Sequence, residues 1–199
     1  MKRIISLLVA ANMLLVACNN KKPKETNVFT SADGKETVTV DAQKMQNAAQ
    51  DMEKQKAELE KLTPLTLDQL KAMIPETLMG AKRTNYSANT AMGAGSAQGD
   101  YQLNDSSKLS LNIYDCAGSA GAGIYSMQYM SMFNFQQDSD EEYTKTIDFN
   151  GGKAFEHCEK ATNNCTLSYF SGGRFMVTLE GDHVGAAALK QAASGLNIK

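Results

Sequence analysis

The sequence predicts an α+β protein, an antiparallel β-sheet meander with helices on one face, preceded by a helical spacer. Three observations predict it. Beyond residue 63, short segments alternate polar and apolar residues and are separated by Asn-Gly and Gly-Gly turn pairs. Other segments space their apolar residues as a helix does, before and between those strands and after the last of them. The length, 199 residues with 42% hydrophobic, suits one folded domain with appended tails. The charge is nearly balanced, with 20 Lys+Arg against 22 Asp+Glu, so the basic footprint of a nucleic-acid binder is missing. A mean hydropathy of -0.36 excludes a polytopic membrane protein.

The elements follow in chain order. Lys2 and Arg3 precede an apolar run over residues 4–17. That run is shorter than the roughly 20 residues a spanning helix needs, and it has the form of an export signal. It ends in Leu15-Val16-Ala17-Cys18, which resembles the lipobox of bacterial lipoproteins. The resemblance implies that the Cys18 thiol becomes a diacylglyceryl thioether, that the chain is cut after Ala17, and that the new amino group is acylated. The alternative is an ordinary secretory signal with an incidental cysteine. Asn19, where an Asp would resemble an inner-membrane retention signal, points to the periplasmic face of the outer membrane. Two or three acyl chains, at about 0.8 kcal/mol per buried CH₂, would make membrane lipid a stable partner.

Residues 19–26 are polar, with Lys21, Lys22 and Lys24, and read as a solvated tether or as a basic patch for anionic head groups. Residues 26–40 can form a small hairpin about Asp33-Gly34. Residues 41–62 carry the helical signal: Met45, Met52 and Leu59 recur every seven positions, and Ala48, Ala49 and Leu62 fill the same side. Asp41 is placed to cap the start and Pro64 stops the helix. Gln55 and Lys56 interrupt the seam, so this is either a solvated spacer or a thin dimerising coiled coil. The chain thus divides into a signal (1–17), an anchor, tether and spacer (18–63) and a globular domain (64–199).

Within the domain, residues 66–74 form a short amphipathic helix through Leu67, Leu70, Met73 and Ile74, interrupted by Pro75, with residues 76–79 able to resume it. Residues 83–88, 97–103 and 108–115 read as strands. Residues 143–180 read as a meander of four, turning at Asn150-Gly151-Gly152, Asn163-Asn164 and Gly172-Gly173. Residues 121–134 read as a helix bearing Tyr125, Tyr129, Met132 and Phe133, although a strand reading of the same residues exists. Residues 183–196 read as a final helix with Asp182 as its N-cap.

Pro75-Glu76-Thr77-Leu78, Lys82-Arg83-Thr84, Ala91-Met92-Gly93, the strand over 109–115, Gly151-Gly152-Lys153 and Arg174-Phe175 together resemble a family of uncharacterised bacterial lipoproteins over residues 70–199. These are turn and strand residues, so the resemblance implies a fold and an address and no activity.

The chemistry-bearing residues are few. Cys158 and Cys165 bracket a hairpin loop, and directly opposed strand residues are close enough to form a disulfide in an oxidising compartment. Cys116 is then left over, as a buried filler or a reactive thiol. His157, Cys158 and Cys165, with His183 or Cys116, could be soft metal ligands, but the paired spacing of zinc sites is missing. Met127, Met130 and Met132 could bind Cu(I), yet they lie among aromatic residues as core packing does. Asp138, Asp140, Glu141 and Glu142 have neither calcium-loop spacing nor its turn glycine. The stretches at 93–96 and 118–123 match neither a phosphate-binding loop nor a nucleophile elbow.

No catalytic residue, metal site or cofactor is therefore assigned. The expectation is a lipid-anchored, non-enzymatic binding or envelope-interaction module, partnered by membrane lipid and by an envelope protein or a small ligand on the sheet face. The alternatives are a small-ligand or soft-metal carrier, and a thiol enzyme built on Cys116 with a histidine. A binding module should show an exposed patch or sheet edge, and a carrier a concave apolar pocket.

Overall fold

The computed structural model describes residues 26–30, 37–131 and 136–198. The chain divides into two compact units, Met1–Asn47 and Ala48–Lys199. In the first, β1 (Thr26–Thr30) pairs antiparallel with β2 (Thr37–Asp41), the expected hairpin. Cys18, the rest of the signal, residues 19–25 of the tether and the expected Asp33-Gly34 turn lie outside the described residues.

The second unit is built on a nine-stranded antiparallel sheet in the order β3-β4-β5-β6-β11-β10-β9-β8-β7. Its strands are β3 (Thr77–Leu78), β4 (Ala81–Ala91), β5 (Ala94–Gln102), β6 (Lys108–Asp115), β7 (Gln136–Asp138), β8 (Glu142–Phe149), β9 (Gly152–Glu159), β10 (Cys165–Ser171) and β11 (Phe175–Asp182). The α+β class and the antiparallel sheet are as the sequence predicts. β8 to β11 form the expected meander, and β11 closes back onto β6, which joins it to the earlier meander of β3 to β6. Two-residue turns connect several strands. Asn150 (φ 49°) and Gly151 (φ 79°) form one with both residues left-handed, and Asn-Gly is the favoured pair for that geometry.

Four helices accompany the sheet: α1 (Ala42–Glu60), α2 (Leu67–Ala72), α3 (Gly118–Ser131) and α4 (Ala186–Ser194). Thr66 starts α2 with a complete capping box, its hydroxyl accepting from Gln69 N–H while the Gln69 side chain accepts from Thr66 N–H. Residues 76–79 do not resume this helix. Met79 and Gly80 are both left-handed (φ 52° and 81°), so the chain turns back there as the β3–β4 hairpin. α3 opens at Gly118, three residues before the expected start. α4 opens at Ala186 with Gly185 as N-cap and no side-chain cap, so Asp182 does not cap it. The reason is local: Asp182 ends β11, and His183 is left-handed (φ 54°), which separates strand from helix.

The main core lies on one face, where Leu109, Leu111, Ile113, Leu167, Val177 and Leu179 meet Leu70 and Ile74 from the α2 region and Leu189 and Ala193 of α4. Gly99 is required there. A Cβ on it would come within 2.4 Å of Ile74 Cγ2, so the glycine lets this segment close onto β5. Phe170 and Met176 fall at the alternate strand positions and point to the other face. A second, smaller core gathers around them at one end of the sheet: Leu59 and Met52 of α1, Cys116, and Ala122, Tyr125 and Tyr129 of α3, so the helices are not confined to one face as expected, because β10 and β11 carry apolar residues on both. Leu59 is fully buried, and Gln55 Nε2 donates to the Gly173 carbonyl at 2.7 Å. The seam read along residues 52–59 thus has a partner within the chain.

One polar cluster ties the helices to the sheet. Asp115, fully buried at the end of β6, accepts from Arg174 Nε at 2.7 Å and from Arg174 Nη2 at 2.9 Å. Its oxygens also accept from Leu65 N–H at 2.7 Å and Ala117 N–H at 3.1 Å. Burial pushes the Asp115 carboxyl up, but these donors outweigh it and hold the group below its ordinary value. Arg174 Nη2 also donates to the Thr63 carbonyl at 2.9 Å. A single ion pair therefore fixes the α1–α2 connection, the start of α3 and the β10–β11 turn.

Candidate functional site

The site is built by α3, β10 and the β8–β9 turn. α3 can lie close to the sheet because Gly121 has no side chain: a Cβ there would fall 2.5 Å from the Cys116 carbonyl carbon and 2.7 Å from the Asp115 oxygen. From that start, Tyr125 and Tyr129 occupy successive turns of one helix face. The Tyr125 ring lies 4.6 Å from the Phe170 ring and 5.5 Å from that of Tyr129, in tilted arrangements favoured by aromatic quadrupoles. Across from them, Asp148 and Lys153 are directly paired on β8 and β9, and Lys153 Nζ donates to Asp148 Oδ1 at 2.6 Å.

Between these walls is a cleft of about 540 Å³, lined by Tyr125, Tyr129, Asp148, Gly151, Gly152, Lys153 and Phe170. Its volume is in the range of small-molecule sites. Tyr125, Tyr129 and Phe170 give it an aromatic lining, and Gly151 and Gly152 line it with backbone alone. Burial raises the Tyr125 phenol, and the neighbouring Tyr129, Cys116 and Asp51 raise it further. Burial, with Asp51, raises Tyr129 as well. Both hydroxyls therefore stay protonated at neutral pH and can donate hydrogen bonds. The cleft can hold a planar apolar group and hydrogen-bond its polar edge, with an ion pair in its lining.

The residues singled out from the sequence are otherwise dispersed. Cys158 and Cys165 face each other across β9 and β10 with Cα atoms 4.1 Å apart, and they form a disulfide. Cys116 is a free, buried thiol whose pKa burial pushes up to about 12, so it is not poised as a nucleophile. His157 lies on the sheet face opposite the main core, its Nδ1 2.9 Å from Thr144 Oγ1. His183 pairs with its neighbour Asp182 at 2.8 Å. No group of three or more His, Cys, Asp or Glu placed to hold a metal ion occurs among the described residues. Met127 is exposed, and Met132 lies outside the described residues. In the acidic loop Asp138 pairs with Lys160 at 2.8 Å. Gly93 and Gly118 are left-handed (φ 83° and 73°), and a Cβ on Gly118 would come within 3.0 Å of Pro64, so these two glycines serve the chain's path at a turn and at the start of α3.

In the sequence Tyr125 and Tyr129 stand out as a helix stripe and 150–152 as a turn, but no local pattern joins them or adds Phe170, Asp148 and Lys153. The available signal was an apolar Phe170 out of phase with Leu167 and Tyr169, which marks a strand with something to bury on both faces. No known protein family matches the chain, nor does any curated protein or solved structure.

Proposed function

We propose that this chain is a lipid-anchored, non-enzymatic binding module facing the periplasm, held by acylated Cys18, and that its ligand site is the aromatic cleft beside α3. The cleft carries this reading: about 540 Å³ walled by Tyr125, Tyr129 and Phe170, with neutral phenols and one ion pair for orientation. The ligand class is an amphipathic molecule or peptide side chain with a planar apolar body and an amide or similarly polar edge. A ligand on this sheet face unites the binding-module and small-ligand-carrier readings. The thiol-enzyme reading would need a nucleophile paired with a base, and the buried Cys116 thiol, with its raised pKa, gives it no support.

The chain has no Trp, so an indole probe fluoresces against a dark background. Titrating the full chain with N-acetyltryptophanamide should give a saturable blue shift. Phe170→Ala, which removes one aromatic ring of the lining, should weaken that binding roughly tenfold, consistent with loss of a buried aromatic contact of about 1–1.5 kcal/mol. The absence of any saturable shift up to millimolar probe, or an unchanged affinity in a folded Phe170→Ala chain, would refute the assignment.

A further inference from the structure

The two edges of the sheet are treated differently. At one, β7 has 3 residues and ends at Asp138, which is paired with Lys160. At the other, β3 has 2 residues and covers only Ala81 and Lys82 of the 11-residue β4, with Arg83 N–H donating to the Glu76 carbonyl just beyond. Over residues 84–91, among the described residues, β4 has β5 alone as a neighbour. Half of its backbone N–H and C=O groups there point away from the sheet with no strand to meet them. Proteins usually blunt such an edge with charge, proline or a bulge. The stretch Thr84-Asn85-Tyr86-Ser87-Ala88-Asn89-Thr90-Ala91 has no charge and no proline, and its register shift lies at the very start, between Arg83 and Asn85. All of it is exposed except Ala88, which is half-buried.

We propose that this edge pairs with the same edge of a second copy of the chain, antiparallel about a two-fold axis at Ala88. Ala88 lies beside the midpoint of the open stretch, so pairing about it uses residues 85–91 of both copies. Ser87 then lies opposite Asn89, Tyr86 opposite Thr90, Asn85 opposite Ala91 and Thr84 opposite Met92. Lys82 and Arg83 fall beyond the partner's Met92-Gly93 turn, where the partner's chain has already reversed into β5, so no like charges meet. Tyr86, 47% exposed, gains the aromatic–β-branched pairing that stabilises sheets. Met92, left-handed and 98% exposed at the β4–β5 turn, gains a neighbour in Thr84. A strand with no charge to offer selects a neutral strand in return, and its own copy is one. This pairing is independent of the cleft, which is lined by α3, β10 and the β8–β9 turn.

The test uses the full chain in its membrane. Ala88→Cys should oxidise to a covalent dimer of twice the chain mass, while Glu141→Cys, in the loop between β7 and β8, should not. The exposed neighbours then supply a charge swap. Adding Ser87→Lys and Asn89→Lys to Ala88→Cys places lysines opposite lysines and should lower the crosslinked yield roughly tenfold. Co-expression with a chain carrying Ser87→Glu, Asn89→Glu and Ala88→Cys should restore the dimer as the mixed species, a result that misfolding cannot produce. The proposal is overturned if Ala88→Cys stays monomeric. It is equally overturned if Ala88→Cys crosslinks to a different protein, or if the lysine pair leaves the yield unchanged.

Discussion

Asp115→Asn tests the polar cluster that joins three elements. The carboxylate accepts four hydrogen bonds, two from Arg174 and one each from Leu65 and Ala117, all between 2.7 and 3.1 Å. An Asn side chain has the same shape but one acceptor oxygen. In either amide orientation its NH₂ faces one Arg174 nitrogen and one backbone N–H, so two donors lose their acceptor and the guanidinium loses its counter-charge. Asp115 is fully buried and the Arg174 side chain only 21% exposed, so water does little to compensate. Breaking a buried pair in this way costs about 3–5 kcal/mol. For a chain of this size each kcal/mol moves the melting midpoint by about 2–4 °C, so the expected loss is roughly 10 °C. The pH dependence gives a second readout. The folded-state pKa of Asp115 is depressed, so its stabilisation is fully present above the unfolded value of about 3.9 and is lost as pH falls through the folded value. Wild type and variant should therefore differ most at neutral pH and converge in acid below about pH 4. Thermal melts followed by circular dichroism across that range measure both. A variant that melts with the wild type at pH 7, or a gap that does not narrow in acid, would refute the reasoning.

Other outcomes are expected with equal sign. Gly121→Ala should destabilise by about 3 kcal/mol or more, although Ala is worth up to ~1 kcal/mol over Gly in an isolated helix, because the new Cβ meets backbone atoms 2.5–2.8 Å away. Chemical denaturation would show it, and a stabilised variant would contradict the close approach of α3. Reducing Cys158–Cys165, which closes a loop of sequence separation 7, should lower stability by roughly 2–3 kcal/mol, measured by melts with and without reductant. Cys18→Ser should shift the protein from the membrane to the soluble fraction, and persistent membrane association would count against the lipid anchor.

The meander of β8 to β11 was legible because apolar residues recur at alternate positions, as at Leu167 and Tyr169 or Val177 and Leu179, and each turn has Asn or Gly where φ must be positive, as at Asn150 and Gly151. α2 was legible from the apolar face of Leu67, Leu70, Met73 and Ile74, while its capping box of Thr66 and Gln69 appeared only in the structure. The failures are equally specific. Nothing local distinguishes Met79-Gly80 as a turn, since Met is not a left-handed residue by preference, so β3 was missed. Gly121 looked like a helix start because its actual role is contact with Cys116 and Asp115, residues outside the helix. Asp182 looked like a cap because the left-handed backbone at His183 leaves no sequence signal.

By itself the sequence determined the α+β class, the β8 to β11 meander with its turns, the approximate positions of β4, β5 and β6, and the opposition of Cys158 to Cys165, because alternation, helical spacing and turn chemistry act between residues close along the chain. Only the tertiary structure decided that β11 closes on β6, that Phe170 meets Tyr125 and the β8–β9 turn to enclose a cleft, and that β4, among the described residues, has β5 alone as a neighbour over residues 84–91. Those outcomes depend on which surfaces compete for burial once all elements exist, and that competition acts between residues distant in sequence, such as Asp115 and Arg174, where no local pattern records it.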